Sequence, residues 1–589
     1  MPAKLTFKFS VRTHILLIIL IGLIAYFNCL SGEFIWDDFG LIKGNTYLRS
    51  LSGLPKIFSG NIWAGIGVPS RAYRPLQILT YFFDYSVWKL NPFGYHLSSV
   101  VLHILAGIIL YWLLRLIFNQ GFLAFVASSL FVSHPVQTEA VAYISGRADP
   151  LAAVFIFLSF GLYLKFQQNN KAPYFLAALL SFILALLSRE NAIVLPVLLL
   201  AYHFIFGLKQ KIKSCQAFFL IAAVYLIFRL ALMNTVFSDA PVPTTFWQRL
   251  PGVFAALTNY LKILIIPADL HMEYGGALFK FCSVKVITGL GILSLFLAGI
   301  FKCRRSMPLI SFGLSWFLIA LIPASNLYPL NAYMAEHWLY LPAVGLFIIL
   351  AKFFANLAQE DNFRRRAVIL LVCLIGIYTV LTIKQNTYWR SRLEFFERTL
   401  KYAPYSARVY YHLGNVYTDL KDNVRGIAMY QEAIRLDPEY ADAYNNIGNA
   451  YIEMGQNEEA IRYCRLALDL NPQLPEAYYN LGSAYYNLGQ KEESLAMLAK
   501  SIELRPVYLE AYNNLAAGYA QAGNLDEAIR LWNKSLAVDP TFKVAHFNLA
   551  KFYFAQKKYA PAIWHCDRIK ALGAEVDPAF LKLLEPFRK

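Results

Sequence analysis

Pro404, Pro438, Pro472, Pro506 and Pro540 stand 34 residues apart. Tyr417, Tyr451, Tyr485, Tyr519 and Tyr553 keep the same interval, as do the small residues Gly414, Gly448, Gly482, Ala516 and Ala550. A fixed period of this length belongs to stacked supersecondary units, not to one globular core. Proline ends a helix, and a small residue lets two helices approach closely. Each unit therefore reads as a helix pair. Five units over 404–573 predict an α-solenoid in which each pair touches only its neighbours.

The pattern resembles the tetratricopeptide repeat. The last unit lacks its closing proline, as a terminal cap does. Asn446, Asn480, Asn514 and Asn548 form one further column, with His412 holding that place in the first unit. Amides so spaced suit a groove that binds a peptide backbone through paired hydrogen bonds. The column resembles the asparagine ladder of the soluble O-GlcNAc transferase repeats. Asparagine also suits this helix position in repeat sequences generally, so a structural use stays open.

The rest of the chain differs in kind. Of 589 residues, 58% are hydrophobic and 15% charged, where a soluble protein carries about 25%. From Lys401 onward there are 21 Lys+Arg and 22 Asp+Glu; the whole chain has 54 and 37, which leaves 33 and 15 before that point. The net +17 thus belongs to the apolar part. Its basic residues lie between apolar runs, so membrane topology explains them better than nucleic acid does. Seven cysteines show no CxxC and no Cys/His spacing for zinc.

A span needs about 20 mostly apolar residues. Eleven runs are candidates, at roughly 14–30, 96–117, 120–134, 150–167, 173–188, 190–207, 215–233, 283–301, 306–323, 338–358 and 367–385. The first follows Lys4, Lys8 and Arg12 without a clear cleavage site, and reads as a retained helix. A twelfth stretch, 249–266, contains Arg249, Asn259 and Lys262 and reads as an amphipathic helix on the membrane surface. With the N-terminus inside, every inner connection is basic: Arg115; Lys165 and Lys171; Lys209, Lys211 and Lys213; Lys302, Arg304 and Arg305; Lys352 and Arg364 to Arg366. Eleven spans then place the repeats outside. The expected organisation is all-α: a polytopic membrane domain over 1–400 and the repeat domain over 401–589. The outside is periplasm at a bacterial inner membrane, or lumen at an endoplasmic reticulum membrane.

In this topology the conspicuous polar motifs share the outer side. They are Trp36-Asp37-Asp38; His134 through Glu139 to Gly146-Arg147-Ala148-Asp149; Ser188-Arg189-Glu190; and Ala335-Glu336-His337-Trp338-Leu339-Tyr340. Arg71, Arg74 and the run Asn91 to His96 accompany them. Polar groups at a membrane boundary are costly and tend to be functional. An acidic pair can supply a general base for a hydroxyl, and arginines can hold a phosphate leaving group by bidentate bonds. Together they suit transfer of a group from a lipid phosphate to an acceptor outside the membrane. The plainer readings remain beside these. Asp37 and Asp38 also suit a helix end, and His134 before a proline also suits a cap. Arg147 with Asp149 and Arg189 with Glu190 also suit structural ion pairs, and Trp338 and Tyr340 suit an interfacial belt.

The ordered set resembles the transmembrane and tetratricopeptide-repeat O-mannosyltransferases of the endoplasmic reticulum. That family shows a WDD after the first span, Arg-Pro-Leu, Asn-Pro-x-Gly-Tyr-His, HPVxTEAV…GRAD, an S/K-x-E turn and AER-x-LYLPS. Here stand Trp36-Asp37-Asp38, Arg74-Pro75-Leu76, Asn91 to His96, His134 to Asp149, Ser188 to Glu190 and Ala335 to Pro342. The resemblance implies a GT-C fold and a hexosyl transfer, such as mannosyl, from a polyprenyl- or dolichyl-phosphate sugar to a Ser or Thr of a protein; it implies no cofactor and in general no metal, with a divalent ion left open. It implies Asp37 as catalytic base, with Asp38 supporting it or positioning the acceptor. On chemistry, Arg147, Arg189 and His337 are the donor-phosphate candidates. His134, Glu139, Asp149, Glu190, Glu336, Tyr340 and Arg74 are the substrate-binding candidates. The asparagine column is the candidate acceptor site. His337 departs from the family's arginine, and a neutral imidazole binds phosphate weakly. The array is also shorter than in the animal proteins, which suggests a prokaryotic relative. The competing reading is a membrane-anchored scaffold whose repeats recruit envelope or glycan-assembly partners. A third is a polymerase or ligase using a diphosphate lipid.

Overall fold

The computed structural model describes residues 10–68, 70, 72–207, 209–234, 245–275, 278–327, 330 and 332–588. Arg71 lies outside them. The chain forms two compact units, one of residues 1–43, 60–62 and 69–403, the other of residues 44–59, 63–68 and 404–589. The described residues are helical or irregular, with no strand among them.

In the first unit six helices are long and apolar enough to cross a membrane: Val11–Ser31, Pro92–Phe118, Ile144–Asn169, Ile212–Ala231, Val284–Cys303 and Asn362–Thr387. This corrects the expected eleven. The other five apolar runs form shorter helices of 10–17 residues: Gly121–Ser133, Ala172–Ser188, Glu190–Phe206, Pro308–Ala324 and Ala343–Leu357. At about 1.5 Å per residue such helices fall short of a hydrocarbon core about 30 Å thick. Local chemistry cuts them: Gly121–Ser133 stops before His134-Pro135, because a proline disfavours helical backbone in the residue before it. Its residues from Leu123 to Ser133 are buried, Phe125 excepted, so apolarity there serves the interior of the bundle. Whichever way they lie, the chain is an integral multi-pass membrane protein.

Close approach holds the bundle. A Cβ on Gly345 would sit 2.2 Å from the Gly313 carbonyl oxygen, so these two helices meet backbone to backbone. Trp316 is fully buried, stacks on Phe160 at 6.0 Å, and donates its indole N–H to the Leu341 carbonyl at 2.9 Å. The amphipathic stretch is the helix Phe246–Ile265, started by a Thr245/Gln248 capping box. It buries Ala255, Ala256, Tyr260, Ile263 and Leu264 along one face.

The second unit is the repeat array: helix pairs Ala407–Asp419 with Asn423–Leu436, Ala441–Glu453 with Asn457–Leu470, Pro475–Asn487 with Lys491–Leu504, Leu509–Gln521 with Leu525–Val538, and Lys543–Ala555 with Tyr559–Ala571. Pro578–Leu584 follows. The turn inside each pair uses a left-handed residue at the same 34-residue interval: Lys421, Gly455, Gly489, Gly523 and Lys557. Glycine takes that conformation without strain, so the lysines mark the first and last units.

Candidate functional site

Three segments of the first unit meet around the acidic pair: 33–38, 143–145 and 390–396. The Glu33 N–H donates to the Arg390 carbonyl at 3.0 Å. The Asp37 N–H donates to Tyr143 Oη at 3.1 Å. Asp38 accepts three bonds: Oδ2 from the Ile35 N–H at 2.9 Å, and Oδ1 from both the Ser145 N–H at 2.9 Å and its hydroxyl. Burial pushes the Asp38 carboxyl up to about 7 against these bonds, and the Asp37 charge adds to the rise. Asp38 is 1% exposed, whereas Asp37 is only half-buried. The two neighbours thus differ in kind: Asp38 is an anchor, and Asp37 is the carboxylate within reach of solvent. Trp36 before them is left-handed, at φ 51°, and packs on Phe395 and Phe396.

Arg147, expected at the donor phosphate, is committed to groups of the protein. It is fully buried. Its Nε donates to Ser99 Oγ at 3.1 Å, its Nη1 to Thr80 Oγ1 at 3.2 Å and Asp84 Oδ2 at 2.5 Å, and its Nη2 to the Tyr95 carbonyl at 2.5 Å. Its guanidinium also lies 4.7 Å from the centre of the Tyr81 ring. Arg147 therefore ties its own loop to the helices Pro75–Trp88 and Pro92–Phe118. The expected partnership with Asp149 is replaced by Asp84, a residue in no quoted motif.

Asp149 pairs instead with Arg189 Nη1. Arg189 is 5% exposed, and among the described residues its buried Nε has no hydrogen-bond partner. Glu190 pairs with Arg74 in bidentate fashion, at 3.0 and 2.7 Å. Asp149, Arg189 and Asn191 line one part of a small crevice of about 20 Å³. Trp338, Tyr340 and the apolar Ala152, Ala153, Ile156, Ala320, Leu341 and Pro342 line the rest. Its lining is polar on one side and apolar on the other.

Glu139 is buried and accepts from His337 twice, from Nδ1 at 2.6 Å and from the backbone N–H at 2.9 Å. Glu336, also buried, accepts from the His271 N–H at 2.5 Å and from Tyr274 Oη at 2.7 Å. Burial first, and the Glu139 charge second, hold the Glu336 carboxyl well above the usual range. The His271 ring lies between Tyr274 and Tyr402, 4.1 and 4.9 Å away, and burial lowers it to about 4.

Two further residues of the quoted motifs are buried. His134 is fully buried, and both its nitrogens serve backbone: Nδ1 accepts from the Val136 N–H at 3.2 Å and Nε2 donates to the Leu264 carbonyl at 3.0 Å. It caps the 135–137 turn and ties it to the amphipathic helix. Tyr340 is not a belt residue: it is 1% exposed and its hydroxyl meets His103 Nδ1 at 2.7 Å. Among the described residues no three His, Cys, Asp or Glu side chains gather to hold a metal.

The asparagine column is also occupied from within. Asn446 Nδ2 donates to Tyr411 Oη at 3.2 Å, Asn480 to Asn445 Oδ1 at 2.9 Å, Asn514 to Tyr479 Oη at 3.1 Å, and Asn548 to Asn513 Oδ1 at 2.6 Å. Each partner lies 35 residues back, in the preceding unit. One donor of every amide thus staples neighbouring repeats. Sequence reasoning missed Tyr143, Ser145, Asp84, His103 and His271. The first two sit inside a quoted motif, yet nothing in their types marks them.

Family descriptions of the tetratricopeptide repeat match residues 407–440, 475–508 and 509–542, and the TPR repeat matches 426–455 and 448–489. The chain is 28% identical over 431 residues to Protein O-mannosyl-transferase F38B6.6 of Caenorhabditis elegans, covering 69% of this chain and 60% of that one. To human Protein O-mannosyl-transferase TMTC3 it is 27% identical over 470 residues (71% and 51% covered), and to human TMTC4 26% over 479 (70% and 64%). These alignments are longer than the whole repeat array, so they extend into the membrane unit. The chain spans about half to two thirds of the length of these relatives. They are animal proteins, and a prokaryotic kinship finds no support among them. Among solved structures, MamA is 25% identical with a TM-score of 0.25, covering 27% of this chain and 94% of that one. YrrB, a TPR protein with an unusual peptide-binding site, is 24% identical with a TM-score of 0.26, covering 32% and 97%.

Proposed function

We propose that the chain is a membrane glycosyltransferase. It moves a hexose, mannose by analogy with its relatives' names, from a polyprenyl-phosphate donor to a Ser or Thr hydroxyl of a protein. The observation that carries this reading is the crevice at Arg189. An amphiphile with an anionic head and an isoprenoid tail needs a buried cation with a donor to spare, beside an apolar wall. Arg189 Nε and the Ala152–Ile156 face supply both. In the resting chain Asp149 neutralises Arg189.

Asp37 takes the proton of the acceptor hydroxyl. The oxygen forms its bond to the anomeric carbon from the face opposite the phosphate. The bond from that carbon to the phosphate oxygen breaks, and its electron pair leaves with the lipid phosphate. One displacement inverts the anomeric centre. The pairs Arg74–Glu190 and His337–Glu139 hold the loops around the site. The repeats bind the acceptor protein.

Purified wild type, Asp37→Asn and Arg189→Lys are compared with radiolabelled polyprenyl-phosphate mannose and an acceptor protein. Asp37→Asn should lose at least ~10²-fold in turnover, the scale of a general base. Arg189→Lys should raise the donor KM about tenfold, since lysine lacks the planar fork. Wild-type transfer by Asp37→Asn sinks the mechanism. If both variants are silent while deletion of 401–589 abolishes function in cells, the scaffold reading takes its place.

A further inference from the structure

The acidic turn is held more firmly than a surface loop requires. Trp36 adopts a left-handed backbone at φ 51° that a bulky residue rarely takes. Such strain persists only where the surroundings over-determine it. Three anchors do so here. The turn closes on itself, with the Asp38 N–H on the Ile35 carbonyl at 3.1 Å and the Ile35 N–H on Asp38 Oδ2 at 2.9 Å. The Trp36 ring packs on Phe395 and Phe396. The third anchor is the 143–145 loop, where Ser145 holds Asp38 through both its N–H and its hydroxyl and Tyr143 Oη takes the Asp37 N–H. Tyr143 is itself stacked on Trp389 at 5.4 Å.

We propose that Tyr143 and Ser145 are positioning residues for the transfer: through the Asp37 amide and the Asp38 carboxylate they fix where the Asp37 side chain projects. Neither touches the reacting atoms. The proposal rests on Asp37 being the base. A base off its line by about 1 Å loses up to ~10²-fold in rate without losing substrate affinity. The clamp therefore acts on turnover, not on binding.

The test uses the full-length protein with polyprenyl-phosphate mannose and an acceptor protein, and reads kcat, both KM values and the melting temperature. Tyr143→Phe removes one oxygen and leaves the Asp37 amide without its acceptor. Ser145→Ala removes one hydroxyl, and Ser145→Thr restores it. Tyr143→Phe and Ser145→Ala should each lower kcat about tenfold or more, with both KM values within twofold of wild type, and Ser145→Thr should recover most of the rate. Unchanged kcat in Tyr143→Phe and Ser145→Ala, while Asp37→Asn is inactive, overturns this inference alone. Wild-type turnover in Asp37→Asn overturns the reading beneath it. If Ser145→Ala does not fold, Tyr143→Phe decides, because its ring and its stacking on Trp389 are kept.

Discussion

Replacing Arg147 with methionine separates a structural arginine from a phosphate ligand. Methionine roughly keeps the length of the stem and removes every donor. Four hydrogen bonds go, to Ser99, Thr80, Asp84 and the Tyr95 carbonyl. Asp84 then remains 7% exposed, with the Ser98 hydroxyl at 2.7 Å as its remaining side-chain bond. Removing one partner of a buried ion pair costs about 3–5 kcal/mol, because the other charge stays uncompensated. Converting Asp84 to asparagine in the same chain removes that charge. The double variant should recover about 2 kcal/mol, a coupling within the range for residues in contact. The assay is thermal unfolding of the four proteins in one detergent, with donor KM measured on each. Arg147→Met should melt well below wild type, and Arg147→Met with Asp84→Asn should melt above Arg147→Met. A melting temperature equal to wild type, with donor KM raised tenfold or more, would refute the structural assignment and return Arg147 to the donor phosphate.

Stability should also depend on Asp38. Its native carboxyl titrates at about 7, while in the unfolded chain it titrates near ~3.9. The native state therefore holds a proton that the unfolded chain releases. That stabilisation is complete below about pH 4 and is lost as pH rises toward 7, up to ~4 kcal/mol for one such group. Thermal unfolding of wild type and Asp38→Asn across this range checks it: the wild type should lose more stability with rising pH, and equal slopes contradict the assignment. Asn480→Ala removes the bond to Asn445 between the second and third units and should cost about 1 kcal/mol. Amide exchange should quicken in Ala441–Glu453 and Pro475–Asn487 with acceptor binding unchanged; lost binding with unchanged exchange restores the peptide-ladder reading. His134→Phe deletes a tie to Leu264 and a cap on Val136. It should lower the melting temperature and leave the donor KM alone, and a raised donor KM at unchanged stability would place His134 at the substrate.

Some of this chain was legible without coordinates because its physics is local. Period, proline and small-residue columns fixed the helix pairs of the repeats, since each unit buries its face only against the next. The left-handed column from Lys421 to Lys557 falls on the same interval. Apolar runs marked the long apolar helices of the membrane unit but not their lengths, and they missed Pro75–Trp88 and Arg392–Tyr402. Apolarity is demanded alike by lipid and by a protein interior, so Gly121–Ser133 and Ala343–Leu357 read as spans and are short helices. Polar partners were the least legible. Arg147 and Asp149 stand two residues apart, yet they turn to Asp84 and Arg189. Asp37 and Asp38 are neighbours with opposite environments, because successive side chains in a tight turn leave in different directions. Charge, hydroxyl and amide types say that bonds will be made. Only the tertiary structure, which brings segments more than a hundred residues apart within 3 Å, decides with whom.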